Sequence, residues 1–316
     1  MAVTMKANRI YVFGGPEVIL FEDVPRPTPG TGEVLVRVYA AGVGPWDAWI
    51  RAGRSALPQP LPLTLGADLA GTVEATGSRD SPFSAGEEVF GVTNPRFIGA
   101  YAQYAVASTQ MLAHKPRSRD FLESAAVPVV AVTARQMLFR YAKVSSGDRV
   151  LVHGAAGNVG AYAVQFAHAA GAHVIASVLP RDREVALQLG ADEVISHPSE
   201  EVPPLRGTLD TVIDTVGGRT QTQLFAYVRK GGTLISSVSA PDAQLAQRCE
   251  IEVRFILVEV NTDDLKVVAD LLDAQQLLVR IGQVLPLGHA RQAHEMLESM
   301  RPLPAGKVVL NAVGDS

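Results

Sequence analysis

Cysteine is nearly absent from this chain. Cys249 is the only one in 316 residues, so no disulfide can form within it, and a reducing cytoplasm is its natural setting. Clustered positive charge is missing too. The 28 Lys and Arg are outnumbered by 32 Asp and Glu, for a formal net charge of −4, and no long Lys or Arg run occurs. Nucleic acids and anionic membranes are met through basic patches, so both are disfavoured as partners. No apolar run approaches the ~20 residues needed to cross a bilayer. The opening MAVTMKANRIYVFGG lacks the basic-then-apolar order of a secretory signal. The seven histidines (His114, His153, His168, His173, His197, His289 and His294) are scattered without metal-ligand spacing, and each reads as a surface or helix histidine.

What is present suits a large globular core. The chain is 47% hydrophobic and 19% charged, and its length is that of two domains at roughly 100–200 residues each. Over residues 1–126, short β-type runs at 33–39 and 70–74 are set between Gly- and Pro-rich stretches at 25–32 and 58–62. That rhythm predicts a strand-rich domain. From 127 to 262 the pattern changes to strands at 150–153, 173–177, 193–195, 210–214, 233–238 and 251–257. Helical segments at 159–170, 182–189 and 220–228 lie between them. Gly171 and Gly190 fall where a helix end favours positive φ. Such alternation predicts an α/β, doubly wound parallel sheet. A further helix at 263–274 and an apolar strand at 307–310 close the chain.

The strongest chemical signal is Val150-Leu151-Val152-His153-Gly154-Ala155-Ala156-Gly157-Asn158-Val159-Gly160. An apolar strand runs into a Gly-rich turn, and the turn runs into a helix beginning near Val159. A diphosphate needs backbone N–H groups aimed at it, the positive end of a helix dipole, and no side chains in the way. Gly154 permits the tight turn, Gly157 the approach of phosphates, and Gly160 the packing of helix on strand. The spacing is G-x-x-G-x-x-G rather than G-x-G-x-x-G. By itself it would fit a mere turn as well as a phosphate site, but the flanking strand and helix and the strands beyond make it a dinucleotide site.

The second strand of a site for NAD usually ends in an acid that accepts from the ribose 2′-hydroxyl. Here Ala176-Ser177-Val178-Leu179-Pro180 ends without one, and Arg181, Asp182 and Arg183 follow. Ser177 can donate to a phosphate oxygen, and Arg181 can offer its guanidinium. The pattern favours NADPH. The plainer reading of Arg181 and Arg183 is a solvated helix start, and Asp182 tempers their charge.

Together these features resemble the medium-chain dehydrogenase/reductase superfamily, in its zinc-independent quinone oxidoreductase (zeta-crystallin-like) branch. The likeness is carried by Ala40-Ala41-Gly42-Val43-Gly44-Pro45-Trp46-Asp47, Gly66-Ala67-Asp68-Leu69-Ala70-Gly71 and Gly99-Ala100-Tyr101-Ala102-Gln103-Tyr104. Val132-Thr133-Ala134, the glycine loop, Asp214-Thr215-Val216-Gly217-Gly218 and Gly306-Lys307-Val308-Val309-Leu310 complete the series. The resemblance implies a Rossmann domain at 127–262 inserted into a GroES-like, β-rich domain at 1–126 and 263–316. It also implies a homodimer joined near 250–255. It points to cofactor contacts at Thr133, Gly154, Ala155, Ala156, Gly157, Asn158, Val159, Gly160, Ser177, Arg181, Val216, Ser237, Leu257 and Lys307. Gly44, Trp46, Thr133 and the segment 255–258 are expected to line the cleft that holds the nicotinamide.

Several positions stay open. Gly44 departs from the Asn of the family, which predicts a missing polar contact and a wider pocket. Trp46 could stack on a flat acceptor or simply pack. Asp47 reads as an N-cap for the run that follows, Tyr101 and Tyr104 as packing along a strand, and Lys307 as either a phosphate contact or a solvated charge. The family's zinc-dependent members carry a Cys in the first loop and a His-Glu pair where this chain has Ala67-Asp68, so no metal is expected. The chemistry implied is hydride transfer from NADPH to a small electrophile, a quinone or an α,β-unsaturated carbonyl. The competing reading is a non-catalytic NADPH-binding sensor or stress protein. An alcohol dehydrogenase is disfavoured by the missing zinc ligands.

Overall fold

The strand β1 (Thr4–Ile10) turns Met5 and Ala7 inward and pairs antiparallel with β2 (Leu20–Pro25). Next come β3 (Glu33–Val43), α1 (Pro45–Arg51), β4 (Leu63–Thr64), β5 (Asp68–Thr76) and β6 (Glu88–Val92). β7 (Tyr104–Ser108), β8 (Leu112–His114), α2 (Phe121–Ala125) and α3 (Pro128–Arg135) follow. This is a computed structural model, and it describes residues 3–196 and 203–313; His197 lies outside them. The strands at 33–39 and 70–74 are longer than their β-type runs predicted. β3 continues to Val43 because Gly42 pairs with Asp68 of β5. Tyr101, expected on a strand, instead lies in the turn before β7.

The chain divides into two compact units, one of Met1–Val129, Val260–Gln275 and Val279–Ser316, the other of Val130–Glu259 with Gln276–Leu278. The second unit contains β9 (Arg149–His153), α4 (Asn158–Ala169), β10 (His173–Val178), α5 (Arg183–Gln188), β11 (Glu193–Ser196), β12 (Leu209–Asp214), α6 (Gly218–Leu224), β13 (Val228–Ser236), α7 (Ala243–Cys249) and β14 (Glu252–Phe255). Its strands form one parallel sheet in the order β11-β10-β9-β12-β13-β14. The chain starts at the middle and reverses direction between β9 and β12, the arrangement that opens a crevice at the carboxyl ends of those strands. Val150, Leu151, Val152, Val174 and Ile175 are fully buried, as strands covered on both faces require. Gly171 and Gly190 end α4 and α5 at positive φ. In both cases the following N–H reaches back five residues, from Ala172 to Ala167 and from Ala191 to Ala186. The helix α7 is not among the helices expected from sequence; Asp242 caps it, accepting from Gln244 N and Leu245 N at 2.8 and 3.0 Å.

The first unit resumes with α8 (Thr262–Asp273), β15 (Ile281–Pro286), α9 (Ala290–Leu297) and β16 (Lys307–Asn311). Its larger sheet runs β15-β16-β3-β5-β6-β8, with β7 also pairing β3. β16 enters antiparallel to β3, Val308 opposite Val43. Residues more than 250 apart in sequence are therefore neighbours, and Lys307 is carried to the end of β3 that leads into α1. No helix among the described residues is long and apolar enough to cross a membrane.

Candidate functional site

In the second unit the glycine turn lies between β9 and α4. Gly154 adopts φ +81°, and its N–H and that of Ala155 donate to Ser177 O at 3.1 and 3.3 Å. A Cβ on Gly160 would lie 2.2 Å from Gly154 O, so the helix could not pack this close with any other residue. Gly157 is exposed, and a Cβ there would meet only Gly154 O, at 3.1 Å. It is the N-cap residue of α4, and no side chain caps the helix. The first-turn N–H groups have no carbonyl to bond within the helix, so the turn offers donors and a positive dipole end to an anion.

The expected contact residues Val216, Ser237 and Leu257 lie past the carboxyl ends of strands of this same sheet. Leu179, Val216, Val238 and Leu257 each lie just past the carboxyl end of a strand (β10, β12, β13 and β14), and all four are exposed, Leu257 to 59%. Large apolar side chains in water at the ends of β10, β12, β13 and β14, the first separated from the others by β9, make a ready wall for a flat ligand. Ser237 is half-buried beyond β13. Thr133 is buried within α3. Arg181 extends into solvent, its side chain 79% exposed, with Asp182 3.8 Å away. Arg183 differs from Arg181 in donating to Val194 O at 3.1 Å.

A polar network missed from sequence supports the turn. His153 is fully buried, not at the surface, with Ser177 Oγ 3.2 Å from Nδ1 and Thr220 Oγ1 3.1 Å from Nε2. Thr220 also donates to Gly217 O at 3.0 Å, and which His153 nitrogen carries the proton follows from its tautomer. Ser177, expected to donate to a phosphate, is 1% exposed and lies within hydrogen-bond distance of His153. Asp214 holds the neighbouring turn. It accepts from Val216 N and Gly217 N on one oxygen, and from Gln221 and Ser236 on the other. Asp214 was visible only as part of a motif, but an acid ending a buried strand demands such partners.

The first unit has its own polar cluster at the start of α1. Asp47 is fully buried at the third position of the helix, so it is not the N-cap. Its Oδ2 accepts from Gly44 N at 2.8 Å and Tyr101 Oη at 2.9 Å. Asp47 Oδ1 has no partner among the described residues. Burial raises the Asp47 carboxyl to about 7 against the lowering pull of the Gly44 N–H, Lys307 and Tyr101. Burial beside Asp47 raises the Tyr101 hydroxyl far above its ordinary value, so it stays a donor. Asp68, raised by burial, accepts from Lys307 Nζ and Val129 N, both at 3.0 Å. Lys307 was expected at a phosphate or in solvent. Instead it is 2% exposed, its ammonium committed to Asp68 and 4.4 Å from the centroid of the Trp46 ring. The wider pocket expected at Gly44 is absent, because a Cβ there would lie 2.2 Å from Trp46 Cζ2. The indole fills that space.

Behind Tyr101 lies His294, its ring edge-on at 6.0 Å and buried. Burial and the Arg51 charge lower it to about 3. Arg51, 1% exposed, pairs with Glu298 and donates to Gly14 O at 3.0 Å. No group of three or more His, Cys, Asp or Glu among the described residues is arranged around a metal position.

Fold and site thus define a two-unit oxidoreductase architecture, a GroES-like β region joined to a parallel nucleotide-binding sheet. Residues 30–117 match the alcohol dehydrogenase GroES-like domain family, and residues 189–310 the zinc-binding dehydrogenase family. The quinone oxidoreductase of Sus scrofa is 33% identical over 97% of each chain. The quinone oxidoreductase structure from Coxiella burnetii superimposes with a TM-score of 0.89 at 30% identity, covering 98% of this chain and 100% of that one. A mycobacterial protein in complex with NADPH gives a TM-score of 0.85 at 29% identity, over 97% and 99%. The chain belongs to the medium-chain dehydrogenase/reductase superfamily, among relatives that are quinone oxidoreductases, and it is a nicotinamide-dependent oxidoreductase.

Proposed function

We propose that this protein is an NADPH-dependent, zinc-independent reductase of quinones or α,β-unsaturated carbonyls. The observation that carries the reading is the start of α4, led by Gly157 and capped by no side chain, beside a β10 end that bears no acid and is followed by the exposed Arg181. Gly157 leaves room where a diphosphate would rest, and the first-turn N–H groups of α4 would hold it. Arg181, rather than the occupied Ser177, would meet the 2′-phosphate. Val216, Ser237 and Leu257 would flank the rest of the cofactor. When bound, the cofactor supplies the hydride. The chain's part is to hold donor and acceptor in register. A quinone or enone suits this reading, since conjugation spreads the charge that develops.

Zinc independence is supported by what stands at the positions noted above. Ala67 is buried, and both oxygens of Asp68 are engaged by Lys307 and Val129, leaving neither residue as a ligand. A homodimer is supported by β14, the terminal strand of its sheet, whose outer edge has no neighbour among the described residues. The cytoplasm remains the compartment we infer from a single cysteine.

The test is NADPH and NADH oxidation with 1,4-benzoquinone, 9,10-phenanthrenequinone and 2-alkenals, in the wild type and in Arg181→Ala. Turnover with NADPH, and a preference for NADPH over NADH reduced at least tenfold in the variant, is expected from losing one charged hydrogen bond, worth about 1.5–3 kcal/mol. Tight NADPH binding without turnover of any acceptor would reject the reductase in favour of a cofactor-binding sensor.

A further inference from the structure

His153 closes β9, in register with Ser177 of β10 on one side and Asp214 of β12 on the other. Asp214 in turn stands beside Ser236 of β13. Register neighbours in a parallel sheet share a face. These four polar residues therefore form one row across β10, β9, β12 and β13, near the carboxyl ends of the strands. All four are buried. Leu151, two residues before His153 and on the same face, shows what packing alone asks of this strand. A buried polar row costs free energy unless each member finds a partner.

The row is tied together and to α6. Ser236 Oγ and Gln221 Nε2 both donate to Asp214 Oδ2, at 2.9 and 2.8 Å. Ser177 Oγ lies 3.2 Å from His153 Nδ1, and Thr220 Oγ1 lies 3.1 Å from Nε2. Consecutive side chains of α6, Thr220 and Gln221, thus hold the two central members of the row. A hydroxyl can donate or accept, so either neutral tautomer of the ring bridges Ser177 and Thr220.

The consequence lies in the backbone. Ser177 O receives the N–H groups of Gly154 and Ala155 at 3.1 and 3.3 Å. Residue 177 therefore meets His153 with its side chain and the glycine turn with its carbonyl. On the other flank Thr215 Oγ1 donates to His153 O at 2.7 Å. The imidazole reaches from β10 to α6, on the residue that leads into the turn.

We propose that His153 is a positioning residue for the cofactor diphosphate. Its ring sets the spacing between the β10 end and the start of α6, and through Ser177 O it fixes the turn that aims the first N–H groups of α4. This rests on the diphosphate placement proposed above. His153 meets no ligand itself. A diphosphate is common to NADPH, NADH and ADP-ribose, so the ring acts on all three alike, whereas Arg181 concerns the 2′-phosphate alone.

Dissociation constants for these three ligands are measured by calorimetric titration in the wild type, His153→Leu, His153→Gln, Ser177→Ala and Gly157→Ala, with denaturation followed alongside. Ser177→Ala keeps the carbonyl that holds the turn and removes only the hydroxyl that meets the ring. It should weaken all three ligands about threefold, the loss of one net hydrogen bond. His153→Leu, which loses both contacts, should weaken all three about tenfold. His153→Gln, whose amide offers a donor and an acceptor, should recover most of the affinity that leucine loses. Wild-type affinity in Ser177→Ala, or in a folded His153→Leu, overturns the proposal. A loss confined to NADPH also overturns it, since Ser177 would then serve the 2′-phosphate. Should His153→Leu not fold, Ser177→Ala decides. Undiminished binding in Gly157→Ala denies the diphosphate placement and this proposal with it. Weakened binding there, with none lost in Ser177→Ala, denies only the role of His153.

Discussion

The two units build their sites from different materials. In the second, the site is mainly backbone: a turn and a helix start contributed by consecutive residues around 150–160, with the ends of later strands beside them. In the first, the site is side chain: Gly44, Trp46, Asp47, Asp68, Tyr101 and Lys307, drawn from α1, β5, a turn and β16. A backbone site is damaged by adding atoms to it. A side-chain cluster is damaged by removing one charge and stranding its partner.

Lys307→Met should be the most damaging change. It leaves the Asp68 carboxylate buried with Val129 N as its one remaining partner, and breaking one side of a buried pair costs about 3–5 kcal/mol. Chemical denaturation should show that loss, and Asp68→Asn added to it should restore much of it. A double variant no more stable than the single would mean that the pair is not a unit.

Gly160→Val should rank next and break the other unit. The new side chain meets Gly154 O and Ala155 Cα, at about 1–3 kcal/mol for overpacking, and it should abolish NADPH binding by moving the helix start. Gly157→Ala meets one carbonyl oxygen at 3.1 Å, so it should spare stability and weaken NADPH alone, as calorimetric titration would show. Equal losses of stability in both variants would remove the distinction between a packing glycine and a ligand-facing one.

The smallest effect is a slope. Asp47 titrates near 7 in the folded chain against 3.8 ordinarily, so the folded state holds its proton more tightly and stability falls as pH rises through that window. His294, near 3 against 6.5, acts oppositely, its contribution being lost as pH falls through its own window. Over pH 4 to 6.5 the two slopes oppose each other, each at most ~1.4 kcal/mol per pH unit. Asp47→Asn removes the falling one, so its stability relative to wild type should grow between pH 4 and 7 in denaturation series. A constant difference would show that Asp47 is ionised throughout.

Legibility followed locality. The parallel sheet, the glycine turn and the two helix-ending glycines were readable because each depends on a few consecutive residues. Asp47 was taken for an N-cap and Ser177 for a phosphate donor because their partners, Tyr101 and His153, lie 54 and 24 residues away. The signal that could have raised the question was a charged residue inside an apolar strand, as at Asp68 and Lys307, since such charges are almost never buried unpaired. Position 44 was misjudged for a related reason. A missing side chain reads as a gap until the ring that fills it is located.

Alone, then, the order of residues determined the alternation of strand and helix, the turn that receives a diphosphate, and the lack of an acid after β10. These follow from hydrogen bonding and sterics over about ten neighbouring residues. Only the tertiary structure decided which buried charges neutralise one another, where the Trp46 ring lies and which hydroxyls are already spent. Such matters depend on the antiparallel entry of β16 beside β3, which brings the end of the chain to its beginning.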